Sequence, residues 1–110
     1  MNTPTIAVDF DGTICHYDTW EGPGWVGDPI PGALRFLRTL KARGYDIWIF
    51  SARAVDPEGF GAIHKWLVQH GVRDIVEGIT HEKQYRFWYF VDDRAIHFDG
   101  DYEAVLARLT

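Results

Sequence analysis

The sequence predicts a single α/β domain with a mainly parallel sheet of about five strands and helices on both faces. Three observations predict it. Short apolar runs that end in a polar or acidic residue alternate with amphipathic stretches, the order expected of strands joined by crossover helices. The chain has 110 residues, enough for one core and too few for two, so residues 1–110 read as one domain. Hydrophobic residues make up 46% and charged residues 25%, an ordinary globular balance that excludes a disordered chain.

Thr5-Ile6-Ala7-Val8-Asp9-Phe10 is the first such run, a buried strand with an acid near its carboxyl end. The glycines and prolines between Gly12 and Pro31 then punctuate the chain too often for a helix, so this stretch, with Trp20 and Trp25, is an ordered loop or small hairpin. Leu34, Leu37 and Leu40 form one stripe among basic residues, and with Pro31 at the start and Gly44 at the stop they predict a helix over roughly 31–43. Asp46-Ile47-Trp48-Ile49-Phe50 is a second strand with Ser51 at its tip. Asp56-Pro57-Glu58 caps a second helix, whose buried side is Phe60, Ile63 and Leu67 and whose end is Gly71. A weak strand is expected near Asp74–Glu77, another at Trp88–Val91 running into Asp92-Asp93, and a short last one at Ala95–Phe98. Asp101 then caps a final helix.

Eleven basic against sixteen acidic residues give a net charge of −5, which argues against a bulk electrostatic grip on nucleic acid or an anionic membrane. Any phosphate must be met locally. The one cysteine, Cys15, permits no internal disulfide and suits a reducing cytoplasm, and a buried thiol is its ordinary fate. Met1-Asn2-Thr3-Pro4 lacks the basic-then-apolar opening of a signal peptide, and no apolar run reaches the roughly 20 residues of a membrane helix. The expectation is a soluble cytoplasmic protein without a membrane partner. His64, His70, His81 and His97 have no metal-ligand spacing.

Open parallel sheets bind ligands at the carboxyl ends of their strands, and Asp9, Asp11, Ser51, Asp92 and Asp93 all map to that edge. Asp9-Phe10-Asp11 sets two carboxylates two apart where a strand ends, with Gly12 relaxing the turn. Asp92-Asp93 would bring up to four carboxylates together. Their mutual repulsion is most simply resolved by a hard divalent cation, by default Mg²⁺, which keeps waters and commonly also binds a substrate phosphate.

These residues resemble the haloacid dehalogenase-like superfamily of phosphohydrolases over nearly the whole chain. Asp9-Phe10-Asp11-Gly12-Thr13-Ile14 looks like its first motif, Ser51 its second, Lys83 its third and Asp92-Asp93 its fourth. Pro31-Gly32-Ala33 is also similar to the family, and Val91-Asp92-Asp93-Arg94 is similar to small capless members and to the phosphatase half of phage-type polynucleotide kinases. The resemblance implies a Rossmann-like fold without a cap domain, and a magnesium-dependent phosphomonoester hydrolase. Asp9 would be the nucleophile that forms an aspartyl-phosphate, and Asp11 the general acid and base. Ser51 and Lys83 would steady the phosphoryl group, with Arg86 competing for the Lys83 role. Gly12, Thr13, Ala52 and Arg53 would adjoin substrate, although Arg53 and Arg94 could equally hold carboxylates. Metal would be held by Asp9, the backbone carbonyl of Asp11, Asp92 and, through water, Asp93.

The substrate is expected to be a phosphorylated small molecule or a nucleic-acid 3′-phosphate end, with Trp20 or Trp25 available to stack a base. A homo-oligomer could supply the missing lid. Other readings are a phosphotransferase using the same intermediate, a catalytically silent phosphate-binding module, and a receiver domain. Chain order opposes the last, since a receiver carries its acid pair early and its phosphoacceptor in mid-chain.

Overall fold

The computed structural model describes residues 4–17 and 20–109. Residues 18–19 of the Gly/Pro-rich loop and the Met1–Thr3 start therefore lie outside the described residues. The chain runs β1 (Thr5–Asp9), α1 (Ala33–Ala42), β2 (Asp46–Phe50), a 3-10 turn (Ala52–Val55), α2 (Pro57–Gln69), a second 3-10 turn (Arg73–Ile75), β3 (Gly78–Thr80), β4 (Tyr89–Val91) and α3 (Tyr102–Arg108). The described strands form one sheet in the order β3-β2-β1-β4, and every neighbouring pair is parallel. Among the described residues no separate cap interrupts it.

Both long helices follow from their sequences. α1 buries Ala33, Leu37 and Leu40, one stripe at helical spacing, and stops before Gly44, whose positive φ of 90° suits a residue without a Cβ. It begins after Gly32, two residues later than the proline suggested. In α2 the Asp56 carboxylate accepts from the Glu58 amide at 2.8 Å, and Pro57 occupies the first turn, where a missing N–H costs nothing. Its buried stripe is Ile63, Trp66 and Leu67, while Phe60 faces solvent, a correction to the expected face.

Register assigns the two faces of the sheet. Ile6 and Val8 of β1 stand beside Ile47 and Ile49 of β2 and join Leu37, Leu40, Ile63, Trp66, Leu67 and Ile79 in one core. Both long helices thus pack on the same face, as right-handed crossovers stepping in one direction from β1 to β2 to β3 require. The other face presents the row Phe90, Ala7, Trp48 and Gly78. The Trp48 ring lies so close to Gly78 that a Cβ there would sit 2.6 Å from a ring carbon. Over this row the return connection lays Phe87, centroid 6.2 Å from Trp48 and 5.9 Å from Phe90. The expectation of helices on both faces is corrected: α3 has no buried residue, so among the described residues no helix covers this side.

Two further expectations change. Ala95–Phe98 is not a strand, so the described sheet has four strands rather than about five. The stretch is short, wedged between the Asp92–Arg94 turn and Asp99-Gly100, and among the described residues the outer edge of β4 has no strand partner. The strand expected at Asp74–Glu77 begins instead at Gly78, because Arg73 folds its own segment into a turn by donating to the Val76 carbonyl at 2.8 Å. Val76 consequently serves the core rather than the sheet. Among the described residues no helix is long and apolar enough to cross a membrane.

Candidate active site

β1 delivers Asp9 to the carboxyl edge of the sheet at the end of a buried strand. The chain then turns tightly, with the amides of Ile14 and Cys15 both donating to the Phe10 carbonyl at 3.1 Å. Gly12 adopts φ +79° there, and a Cβ at this position would run into the Asp93 carboxylate. β2 ends in Ser51, which is buried and whose amide donates to the Thr80 carbonyl at 2.9 Å. Its hydroxyl makes no capping bond to the turn that follows. β4 ends in Asp92 and Asp93, and Asp92 accepts from the Arg94 amide at 2.8 Å, which fixes the loop.

Asp9, Asp11, Ser51, Asp92 and Asp93 thus line one cavity of about 420 Å³, together with Ala52, Arg53 and Arg94. Tyr17 and Trp20 complete its wall. Tyr17 was not singled out in the sequence, where nothing distinguishes it from the other aromatics of the loop.

Three carboxylates converge most tightly. One oxygen from each of Asp9, Asp92 and Asp93 lies within 4.8 Å of the others. Burial, followed by the charges of Asp92 and Asp93 and a hydrogen bond with Asp93, pushes Asp9 from its ordinary value of 3.8 up to about 7. An all-oxygen set of this kind, strained by its own repulsion, fits a hard divalent cation. The side chain of Asp11 takes no part in it.

Arg53 engages Asp11 instead, its Nε donating to Oδ2 at 2.9 Å and its Nη2 to Oδ1 at 2.7 Å. Its Nη1 donates to the carbonyls of Pro23 and Trp25, so the same buried guanidinium ties the Gly/Pro-rich loop to the site. The loop is also held by Trp66, whose indole N–H donates to the Gly27 carbonyl at 2.9 Å, and by Cys15, whose Sγ accepts from the Gly27 amide at 3.2 Å. Burial pushes the Cys15 thiol up to about 11, which marks it as a packing residue. Burial also raises Asp11, against the lowering influence of Arg53.

Of the remaining expected residues, Thr13 donates its hydroxyl to Asp9 Oδ2 at 3.4 Å, and the Gly12 amide donates to the Cys15 carbonyl at 2.8 Å. These polar groups brace the loop that follows β1. Lys83 lies in a second, smaller cavity of about 160 Å³ on the helix-free face, where Asp9 and Asp92 form the common wall with the first. Its ammonium sits 5.4 Å from the centre of the Phe90 ring. Arg86 stacks over Trp48 at 4.6 Å and hydrogen-bonds Gln84, so of this pair it is Lys83 that shares a cavity with Asp9 and Asp92. Trp25 belongs to a separate cavity with His16.

No family model matches the chain, and no curated protein matches it. Among solved structures it is similar to a conserved protein coded by a locus of Bacteroides thetaiotaomicron, at 24% identity and a TM-score of 0.59, covering 99% of this chain and 94% of that one. That likeness extends the fold alone.

Proposed function

We propose that the chain is a haloacid dehalogenase-like phosphatase, a magnesium-dependent hydrolase of phosphomonoesters that works through an aspartyl-phosphate on Asp9. The observation that carries this reading is the convergence of Asp9, Asp92 and Asp93 at one strand edge beside a separately held carboxylate, Asp11. Two acids in different surroundings can take two roles.

In this reading the Asp9 carboxylate attacks phosphorus, the bond to the leaving oxygen breaks, and an acyl phosphate forms. Asp11 gives its proton to the departing oxygen. Water then attacks the acyl phosphate while Asp11 takes a proton from it, which releases inorganic phosphate and restores both acids. Arg53 fixes the Asp11 carboxylate for both transfers, while burial raises its pKa against the lowering influence of Arg53. The Ser51 hydroxyl, which makes no capping bond, suits a phosphoryl oxygen, and Lys83 supplies positive charge from the opposite side of Asp9. Mg²⁺ held by Asp9, Asp92 and Asp93 would offset the charge gathered in the site.

The test is release of inorganic phosphate from a broad panel of phosphomonoesters with and without Mg²⁺, with Asp9→Asn as control. Turnover that requires both the metal and Asp9 is expected. Absence of any Asp9-dependent turnover overturns the reading.

A further inference from the structure

We infer that the pocket selects phosphomonoesters whose leaving alcohol carries a planar ring, and that this ring lies on Trp20. The inference rests on the phosphatase reading above and goes beyond it to the substrate class.

Chemistry fixes the direction in which the leaving group departs. If Asp11 protonates the leaving oxygen, that oxygen must come within hydrogen-bond reach of Asp11, and the rest of the alcohol must continue past it. Asp11 is bound along both its oxygens by Arg53, and the central carbon of the Arg53 guanidinium lies over the Trp20 ring, 4.9 Å from its centre. Asp11, Arg53 and Trp20 therefore succeed one another along the wall of the same cavity. An alcohol leaving past Asp11 enters the cavity whose wall Trp20 also forms.

Trp20 is prepared for that contact. It remains 54% exposed although it lines the cavity, and one side of it is occupied by the guanidinium. Arg53 also bonds the Pro23 and Trp25 carbonyls, so the segment after Trp20 is tied down before any ligand arrives. A ring stacked on an indole already held in this way loses little to ordering. The cavity of about 420 Å³ lies within the roughly 300–1,000 Å³ typical of small-ligand sites, enough for a phosphate, a sugar and a ring. Trp25, in its separate cavity, offers no competing surface.

The decisive comparison is adenosine 5′-monophosphate against ribose 5-phosphate, which share the same leaving oxygen and differ by the ring. The expected kcat/KM ratio favours the nucleotide by roughly tenfold to a hundredfold, the range of one aromatic stacking contact. Trp20→Ala should collapse the ratio toward one and Trp20→Phe should restore most of it, with circular dichroism checking that each variant folds. Calorimetric titration of the Asp9→Asn protein with both esters gives the same comparison without turnover. Equal kcat/KM values and equal binding, with Asp9-dependent turnover intact, overturn the inference and leave the phosphatase reading standing. No Asp9-dependent turnover of any ester overturns both.

Discussion

Arg53 binds both oxygens of Asp11 through the Nε–Nη2 edge of its guanidinium, at 2.9 and 2.7 Å, while its own side chain is only 2% exposed. A buried cation paired in this bidentate way orients a carboxylate more firmly than a lysine could. It also joins three parts of the chain that are distant in sequence: the turn after β1, the turn after β2 and the Gly/Pro-rich loop.

Arg53→Met should therefore destabilise the protein by about 3 kcal/mol, the usual cost of removing one member of a buried pair, because Asp11 and two loop carbonyls lose their donor together. Urea unfolding measures the loss, and hydrogen exchange of the Gly22–Gly27 amides locates it. A loss under about 1 kcal/mol would show that the pair contributes geometry without stability.

Asp9 gives the metal-free protein a pH dependence of definite sign. Its folded value of about 7 lies above its ordinary 3.8, so the folded state binds the proton more tightly than the unfolded chain. That contribution to stability is complete below 3.8 and is lost as pH rises through about 7. The metal-free Tm should therefore fall across this window more steeply than in Asp9→Asn. Magnesium should raise Tm most at the upper end, because its ligands must be deprotonated. Parallel slopes in the two proteins would remove Asp9 as the source.

Asp11→Asn separates acid catalysis from binding. Alkyl phosphates, whose leaving oxygen needs a proton, should lose about a hundredfold to ten-thousandfold in kcat, and an activated aryl phosphate much less. Equal losses on both would take the acid role from Asp11.

Gly12→Ala probes the close approach of the two acidic loops. A side chain at φ +79° costs roughly 1–2 kcal/mol, and its Cβ would displace the Asp93 carboxylate. The concentration of Mg²⁺ giving half-maximal activity should rise several-fold, read by titrating the metal at saturating substrate. An unchanged requirement would mean that Asp93 is not needed at the cation.

The elements that position the site were legible because local and long-range signals agreed. In β1 and β2 the apolar runs pair residue for residue, Thr5 with Asp46 through Asp9 with Phe50, and the caps at Asp56 and Asp101 function as their residue types suggest. Phe60 and Trp66 are equally apolar and both fit a helical stripe. Packing against Phe10, whose ring centroid lies 5.1 Å from that of Trp66, decides between them, and no pattern in α2 records it. Ala95–Phe98 failed for the opposite reason: its composition suits a strand, but a strand also needs a neighbour. Among the site residues, the acids and Ser51 were marked by their places at strand ends. The role of Arg53 was open because it depends on where a loop some 30 residues earlier comes to rest.

Asp9 stands in the partition between two chambers, one opening at the sheet edge toward Trp20 and the other on the helix-free face toward Lys83 and Phe90. In the phosphatase proposal the two chambers would act on different properties of the same acid. Substitutions on the Trp20 side would change which molecule is held, whereas substitutions around Lys83 would change the charge environment of the carboxylate without reshaping the seat of the ligand. Selectivity and reactivity would then drift independently, and a lineage could acquire a new substrate while its chemical step stays fixed.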